Sequence, residues 1–123
     1  MPEIIPKILI ADDEEALQRL YQEEFEDEGY EVILAGNGRE VLERLEDPDH
    51  LPDLIVMDIR MPDLNGIDTL RIIKEKLPQI PVILCSAYSE FKQDFSVWAS
   101  DDYVVKSSDL TELKDAVKRH LKD

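Results

Sequence analysis

Four carboxylates stand together at Asp12, Asp13, Glu14 and Glu15, directly after the apolar run "KILIA". Like charges side by side at the end of a buried segment are unfavourable unless something offsets them. The same kind of juncture, an apolar run giving way to a chemically equipped residue, recurs downstream. Asp58 follows "LIVM", Ser86 follows "PVILC" and Lys106 follows "DYVV". If these junctures share one rim of a sheet, three carboxylates, a hydroxyl and an ammonium converge there. Asp12, Asp13 and Asp58 cannot all stay ionised at close range without a cation. Oxygen donors with no His or Cys nearby favour a hard divalent ion, Mg2+ or Mn2+, over zinc. Mg2+ keeps several waters and accepts a phosphoryl oxygen as a further ligand. Ser86 supplies a donor for a second phosphoryl oxygen and Lys106 a charge for a third. A carboxylate amid such a set is itself a nucleophile, so the chemistry indicated is an acyl phosphate on aspartate.

The elements that must position these groups alternate along the chain. Short β-branched runs at 7–11, 30–35, 53–57, 81–85 and 102–105 read as strands. Between them lie apolar stripes of helical period. Leu17, Leu20, Tyr21 and Phe25 form the first, and Val41, Leu42 and Leu45 the second. Ile67, Leu70, Ile73 and Leu77 form the third, and Phe91, Phe95 and Trp98 mark a fourth helix within 90–98. Leu110, Leu113, Ala116, Val117 and Leu121 give the last. Five strands alternating with five helices predict an α/β domain, a doubly wound parallel sheet covered on both faces. The second strand ends in Ala-Gly-Asn-Gly, with nothing chemically equipped, and is taken to lie at an edge with the four equipped strands as neighbours. The order 2-1-3-4-5 follows, with ligands expected where the winding reverses.

The chain has 123 residues, fits a single domain over 1–123 and shows no repeat, linker or internal boundary. With 29 acidic against 14 basic residues its formal net charge is −15, which disfavours direct contact with nucleic acid and suits divalent cations and basic partner faces. No apolar run approaches the roughly 20 residues a bilayer crossing needs, and "MPEIIPK" lacks the pattern of a signal peptide. One cysteine, Cys85, cannot form an internal disulfide; it reads as a small buried residue in a chain suited to the cytoplasm.

Plainer readings apply to each residue taken alone. The Asp12-x-x-Glu15 spacing equally fits a helix capping box, and Asp58 equally opens a turn before "MPDLNG". Asp63 and Asn65 read as turn and capping residues rather than ligands. Ser86, Lys106 and Tyr103 are in isolation a strand-end hydroxyl, a surface lysine and a half-buried strand aromatic. His50 lies in the "DPDHLPD" loop and His120 in the last helical turn, where its charge suits the dipole, so neither reads as catalytic.

Together, "ILIADDE", "DLIVMDIRMPDLNGID", "PVILCSAY" and "DDYVVKS" resemble the receiver domain of the two-component response-regulator family, over essentially the whole chain. The resemblance implies a flavodoxin-like (βα)5 fold without an output domain in this chain. It implies Asp58 as phosphoacceptor, and Mg2+ held by Asp12, Asp13, Asp58 and the backbone carbonyl of Arg60. Ser86 and Tyr103 would be the moving parts of a conformational switch, and Lys106 the phosphoryl-binding lysine. The phosphoryl source implied is a histidine kinase or histidine phosphotransfer protein, with small phosphodonors as substitutes. The downstream protein would bind the face formed by the fourth helix, fifth strand and fifth helix, with the chain a monomer or a phosphorylation-linked dimer. Such a domain is a switch rather than an enzyme, since its phosphoryl transfer and slow autodephosphorylation act on itself.

One departure bears on this. The family usually has proline after the lysine, through a cis peptide; here the residue is Ser107. A cis bond before a non-proline residue costs about 3–4 kcal/mol, so either a trans bond with a rearranged loop or a strained one is expected. Ser107 therefore motivates a rival reading, a pseudo-receiver binding module that does not switch. A hydrolase of external phosphate esters lacks a substrate-covering insertion, and a nucleotide or flavin binder lacks a Gly-rich loop after the first strand.

Overall fold

The β-branched runs become five parallel strands in a computed structural model that describes residues 5–87 and 100–121. β1 (Lys7–Ala11), β2 (Glu31–Ala35), β3 (Leu54–Met57), β4 (Val82–Ser86) and β5 (Asp102–Val105) pair in the order 2-1-3-4-5. Four helices are described: α1 (Glu15–Asp27), α2 (Gly38–Arg44), α3 (Gly66–Lys76) and α4 (Thr111–Leu121). The helix expected within 90–98, with Phe91, Phe95 and Trp98, lies outside the described residues. A short 3-10 turn, Pro48–His50, was not anticipated; Asp47 caps it through a hydrogen bond from the Asp49 amide, and Pro48 sits at its start.

Alternation along each strand sends side chains to opposite faces of the sheet. Leu9, Ala11, Ile55, Met57, Val82 and Leu84 meet Val41 of α2 and Leu70 and Ile73 of α3 on one face. Ile8, Ile10, Leu54, Val56, Ile83 and Val104 meet Tyr21 and Phe25 of α1 and Leu113, Ala116 and Val117 of α4 on the other. β3 and β4 are buried at every position, as central strands of a doubly covered parallel sheet must be. Leu20, expected in the stripe of α1, is exposed instead. The buried line of that helix runs through Tyr21 and Phe25, four residues apart, which turns Leu20 about 100° away from it.

Cys85 is buried beside Tyr21, as the sequence suggests. Burial pushes its thiol up to about 12, with the Lys106 charge pulling the other way. The thiolate is the reactive form, so the folded protein at pH 8 will resist a disulfide-exchange reagent. Full reaction of one thiol should follow unfolding in urea; rapid labelling of the native chain would contradict this packing.

Candidate phosphoryl and metal site

Parallel pairing carries on for one residue past the strands, and those are the residues of interest. The Asp12 amide donates to the Ala35 carbonyl of β2 at 3.0 Å, and the Asp58 amide to the Ala11 carbonyl of β1 at 3.0 Å. The Lys106 amide donates to the Ser86 carbonyl of β4 at 2.7 Å. Each backbone is thus fixed by its neighbouring strand before any side chain is considered.

The side chains then meet. Lys106 Nζ donates to Asp12 Oδ2 at 2.7 Å and to Asp58 Oδ2 at 2.9 Å. Asp12 is 1% exposed and Asp58 7%, so both carboxylates are withdrawn from water and depend on this ammonium. Asp13 is exposed at the rim, and ligand oxygens of Asp12, Asp13 and Asp58 all lie within 4.8 Å of one another. The remaining oxygens are also engaged. Asp12 Oδ1 accepts from the Glu14 amide at 2.9 Å, and Asp58 Oδ1 from the Arg60 amide at 3.3 Å.

Burial raises the Asp58 carboxyl above its ordinary range, and the hydrogen bond and charge of Lys106 only partly oppose that. Burial also works against the Lys106 ammonium, but its bonds to Asp12 and Asp58 outweigh it and hold the amine firmly protonated. One ammonium among three carboxylates leaves the cluster short of positive charge. An all-oxygen donor set with unneutralised charge, open to solvent on the Asp13 side, fits a hard divalent cation. Asp12, Asp13 and Asp58 are the residues that would hold it. A cleft of about 520 Å3 opens alongside, walled by Asp13, Ile59, Arg60, Met61 and Ile67.

Ser86 is fully buried at the end of β4, with its carbonyl on the Lys106 amide. Tyr103 is half-buried on β5, in register with Leu84 and packed on the α2–α3 side of the core. The capping-box alternative for Asp12 does not form: α1 starts at Glu15, and Glu14 stands in the capping position without a side-chain bond. Asn65 does cap α3, accepting from the Asp68 amide at 2.9 Å. No cis peptide occurs among the described residues, so Ser107 follows a trans bond. Its hydroxyl accepts from the Asp109 amide at 3.1 Å, and Asp109 in turn accepts from the Thr111 amide at 2.9 Å. Lys106 reaches both carboxylates with this trans bond following it. His50 pairs with Asp47 and His120 with Asp102, both away from the cluster.

Two contributors escaped the sequence reading. Gln18 of α1 donates to the Asp12 carbonyl at 2.6 Å, tying the helix to the acidic turn. Gly66 lies so close to the Asp58 carbonyl that a Cβ there would collide with it. The only sequence signal was a glycine ending the "MPDLNG" block, which marks close backbone approach as readily as a helix end.

The raised Asp58 carboxyl carries a sign. A group easier to protonate when folded favours folding below its unfolded pKa, and that contribution is lost as pH rises through the folded value. Metal-free Asp58→Asn will therefore melt at least as high as the wild type at pH 7, and the advantage will vanish in acid. Mg2+ at ten times its dissociation constant should stabilise the wild type by about 1.4 kcal/mol. The gain should shrink in Asp13→Asn. Calorimetric midpoints against pH and Mg2+ read all three.

The profile described as response regulator receiver domain matches residues 8–118. The regulatory protein AtoC of Escherichia coli is 39% identical over 95% of this chain, which spans 25% of that relative's length. Sporulation initiation phosphotransferase F of Bacillus subtilis is 34% identical, with 94% of this chain matching 93% of it. The chain thus spans a quarter to a half of some relatives and nearly the whole of another. Among solved structures, the response regulator TrrA of Thermotoga maritima in complex with Mg2+–BeF superposes with a TM-score of 0.90 at 40% identity, covering 94% of this chain and 99% of that one. TrrA in complex with the histidine kinase ThkA gives 0.89 at 40% identity, covering 96% and 100%.

Proposed function

This chain belongs to the receiver-domain family of two-component response regulators, and we propose that Asp58 is its phosphoacceptor. The carrying observation is the Lys106 ammonium, bonded at once to Asp58 and Asp12 from the far end of the chain. Asp12, Asp13 and Asp58, with the backbone carbonyl of Arg60, hold Mg2+. When bound, Mg2+ offsets the negative charge that an incoming phosphoryl group adds to three carboxylates; Mn2+ meets the same donor set.

A carboxylate oxygen of Asp58 attacks phosphorus of a phosphohistidine on a histidine kinase or phosphotransfer protein. The P–O bond forms as the P–N bond breaks, and the imidazole leaves with the electron pair and takes a proton from solvent. Lys106 exchanges its bond to Asp58 Oδ2 for one to a phosphoryl oxygen, which keeps its charge in place through the transfer. The Ser86 hydroxyl donates to another phosphoryl oxygen, and Tyr103 repacks in response; together they bias two conformations of the face formed by the expected fourth helix, β5 and α4. A downstream protein reads that face, as monomer or as phosphorylation-linked dimer. Water returns the aspartyl phosphate slowly to the carboxylate, so the domain turns over no external substrate. Residues 1–123 act as one receiver unit. The solved complex of a similar regulator with a histidine kinase supports the partner class.

The pseudo-receiver reading rested on Ser107, and it draws no support from a site in which Lys106 reaches both acids despite that residue. Incubation with a small phosphodonor and Mg2+ should add the mass of one phosphoryl group to the wild type and none to Asp58→Asn. Equal labelling of both would remove Asp58 from its role. Ser86→Ala should still be labelled but lose most of the amide shift changes that beryllofluoride induces around Tyr103.

A further inference from the structure

Arg60, Met61, Pro62 and Asn65 line the cleft beside Asp13, and their loop is fastened by contacts outside the acidic cluster. Arg39, at the second position of α2, donates from Nε to Asp63 Oδ2 at 2.6 Å and from Nη2 to Asp63 Oδ1 at 3.4 Å. Asp63 has φ +70, a left-handed conformation that few non-glycine residues adopt and that Asp and Asn take most readily. Beside it, Gly38 packs so tightly that a Cβ would collide with the Leu64 carbonyl and the Thr69 hydroxyl. Thr69 Oγ1 donates to the Asn65 carbonyl at 2.7 Å, and the Gly66 amide to the Ile59 carbonyl at 2.8 Å. The first turn of α2 is therefore a buttress against the middle of the loop, three residues beyond Arg60.

We propose that Arg39 is a positioning residue for divalent-cation binding: by gripping Asp63 it holds the Arg60–Asn65 loop, whose Arg60 amide donates to Asp58 Oδ1, in place beside the acidic cluster. This rests on the metal reading above. The pair is largely exposed, so its contribution to global stability is small. Its effect is local, on the fraction of molecules whose loop is ready to bind, and apparent affinity falls in proportion to that fraction. Arg39 itself pairs with Asp63, not with Asp12, Asp13 or Asp58.

For Arg39→Gln, charge and positioning predict opposite signs, which makes the idea testable. Removing a cationic side chain should by charge alone tighten Mg2+ binding. Loss of the grip should weaken it. Mg2+ is titrated calorimetrically into the whole chain as wild type, Arg39→Gln, Asp63→Asn (which keeps the left-handed backbone) and the double variant, with thermal midpoints recorded without metal. Each single variant should raise the dissociation constant about two- to fivefold at a nearly unchanged midpoint. The double variant should be no weaker than the weaker single, because both changes break the same bond. Unchanged or tighter binding in Arg39→Gln, additive losses, or a midpoint that falls in step with affinity would each overturn the proposal. Asp13→Asn separates the two levels of inference. If the wild type binds no Mg2+, the metal reading itself falls; if binding is normal, lost in Asp13→Asn and indifferent to Arg39→Gln, only the grip falls.

Discussion

Two buried carboxylates share one ammonium at the carboxyl end of a parallel sheet, and the rest of the structure serves that contact. Lys106 lies 94 residues from Asp12 and 48 from Asp58 in the chain. No local propensity brings such groups together; only sheet order and register can. β1 and β3 are neighbours because the winding reverses between them, and the ladder continues one amide further on each side. Breaking the contact would leave uncompensated charge in the interior, which costs several kcal/mol per ion. The core and the site are thus coupled: the apolar strands aim the acids, and the acids tolerate burial only because the lysine arrives.

What was legible in the sequence was what depends on period and on strand ends. Short β-branched runs such as "KILIA" and "LIVM" placed the strands, and the residue after each run named Asp12, Asp58, Ser86 and Lys106 as companions. Strand limits differ by one residue, as at Ser86, which ends β4 rather than following it. Less visible was whatever depends on a side chain finding a distant backbone. Gln18 reaches the Asp12 carbonyl across a turn whose shape no propensity specifies. Gly66 is required by proximity to Asp58, a fact of packing. Arg39 and Asp63 are 24 residues apart on separate elements and look like any two surface charges.

Local rules also competed, and tertiary constraints decided between them. Asp12 fits a capping box by spacing, yet its oxygens go to Lys106 and the Glu14 amide, because the sheet ladder fixes its backbone before α1 begins. Leu20 fits an apolar stripe by type but lies off the line set by Tyr21 and Phe25. Ser107 follows Lys106 through a trans bond where a cis proline bond was the family expectation, and the lysine still bonds both acids. The Ser107 hydroxyl and the Asp109 carboxylate supply local bonds that carry the trans chain into α4.

A site so arranged is under tension by construction. The Asp58 carboxyl is held above its ordinary range, so its charged form is the costly one, and any cation or electrophile that relieves the charge gains the difference. The surface adds to this. A net charge of −15 draws divalent cations towards the rim and repels anionic phosphodonors in free solution. On the proposed reading the two effects assign different routes to the two ligands. The cation arrives by diffusion down the field, whereas the phosphoryl group is better delivered by a protein whose basic docking face offsets that field before transfer. Local reversal of sign by Lys106 and a bound cation is then needed only over the last few ångströms, where the low dielectric of the buried acids makes each charge count most.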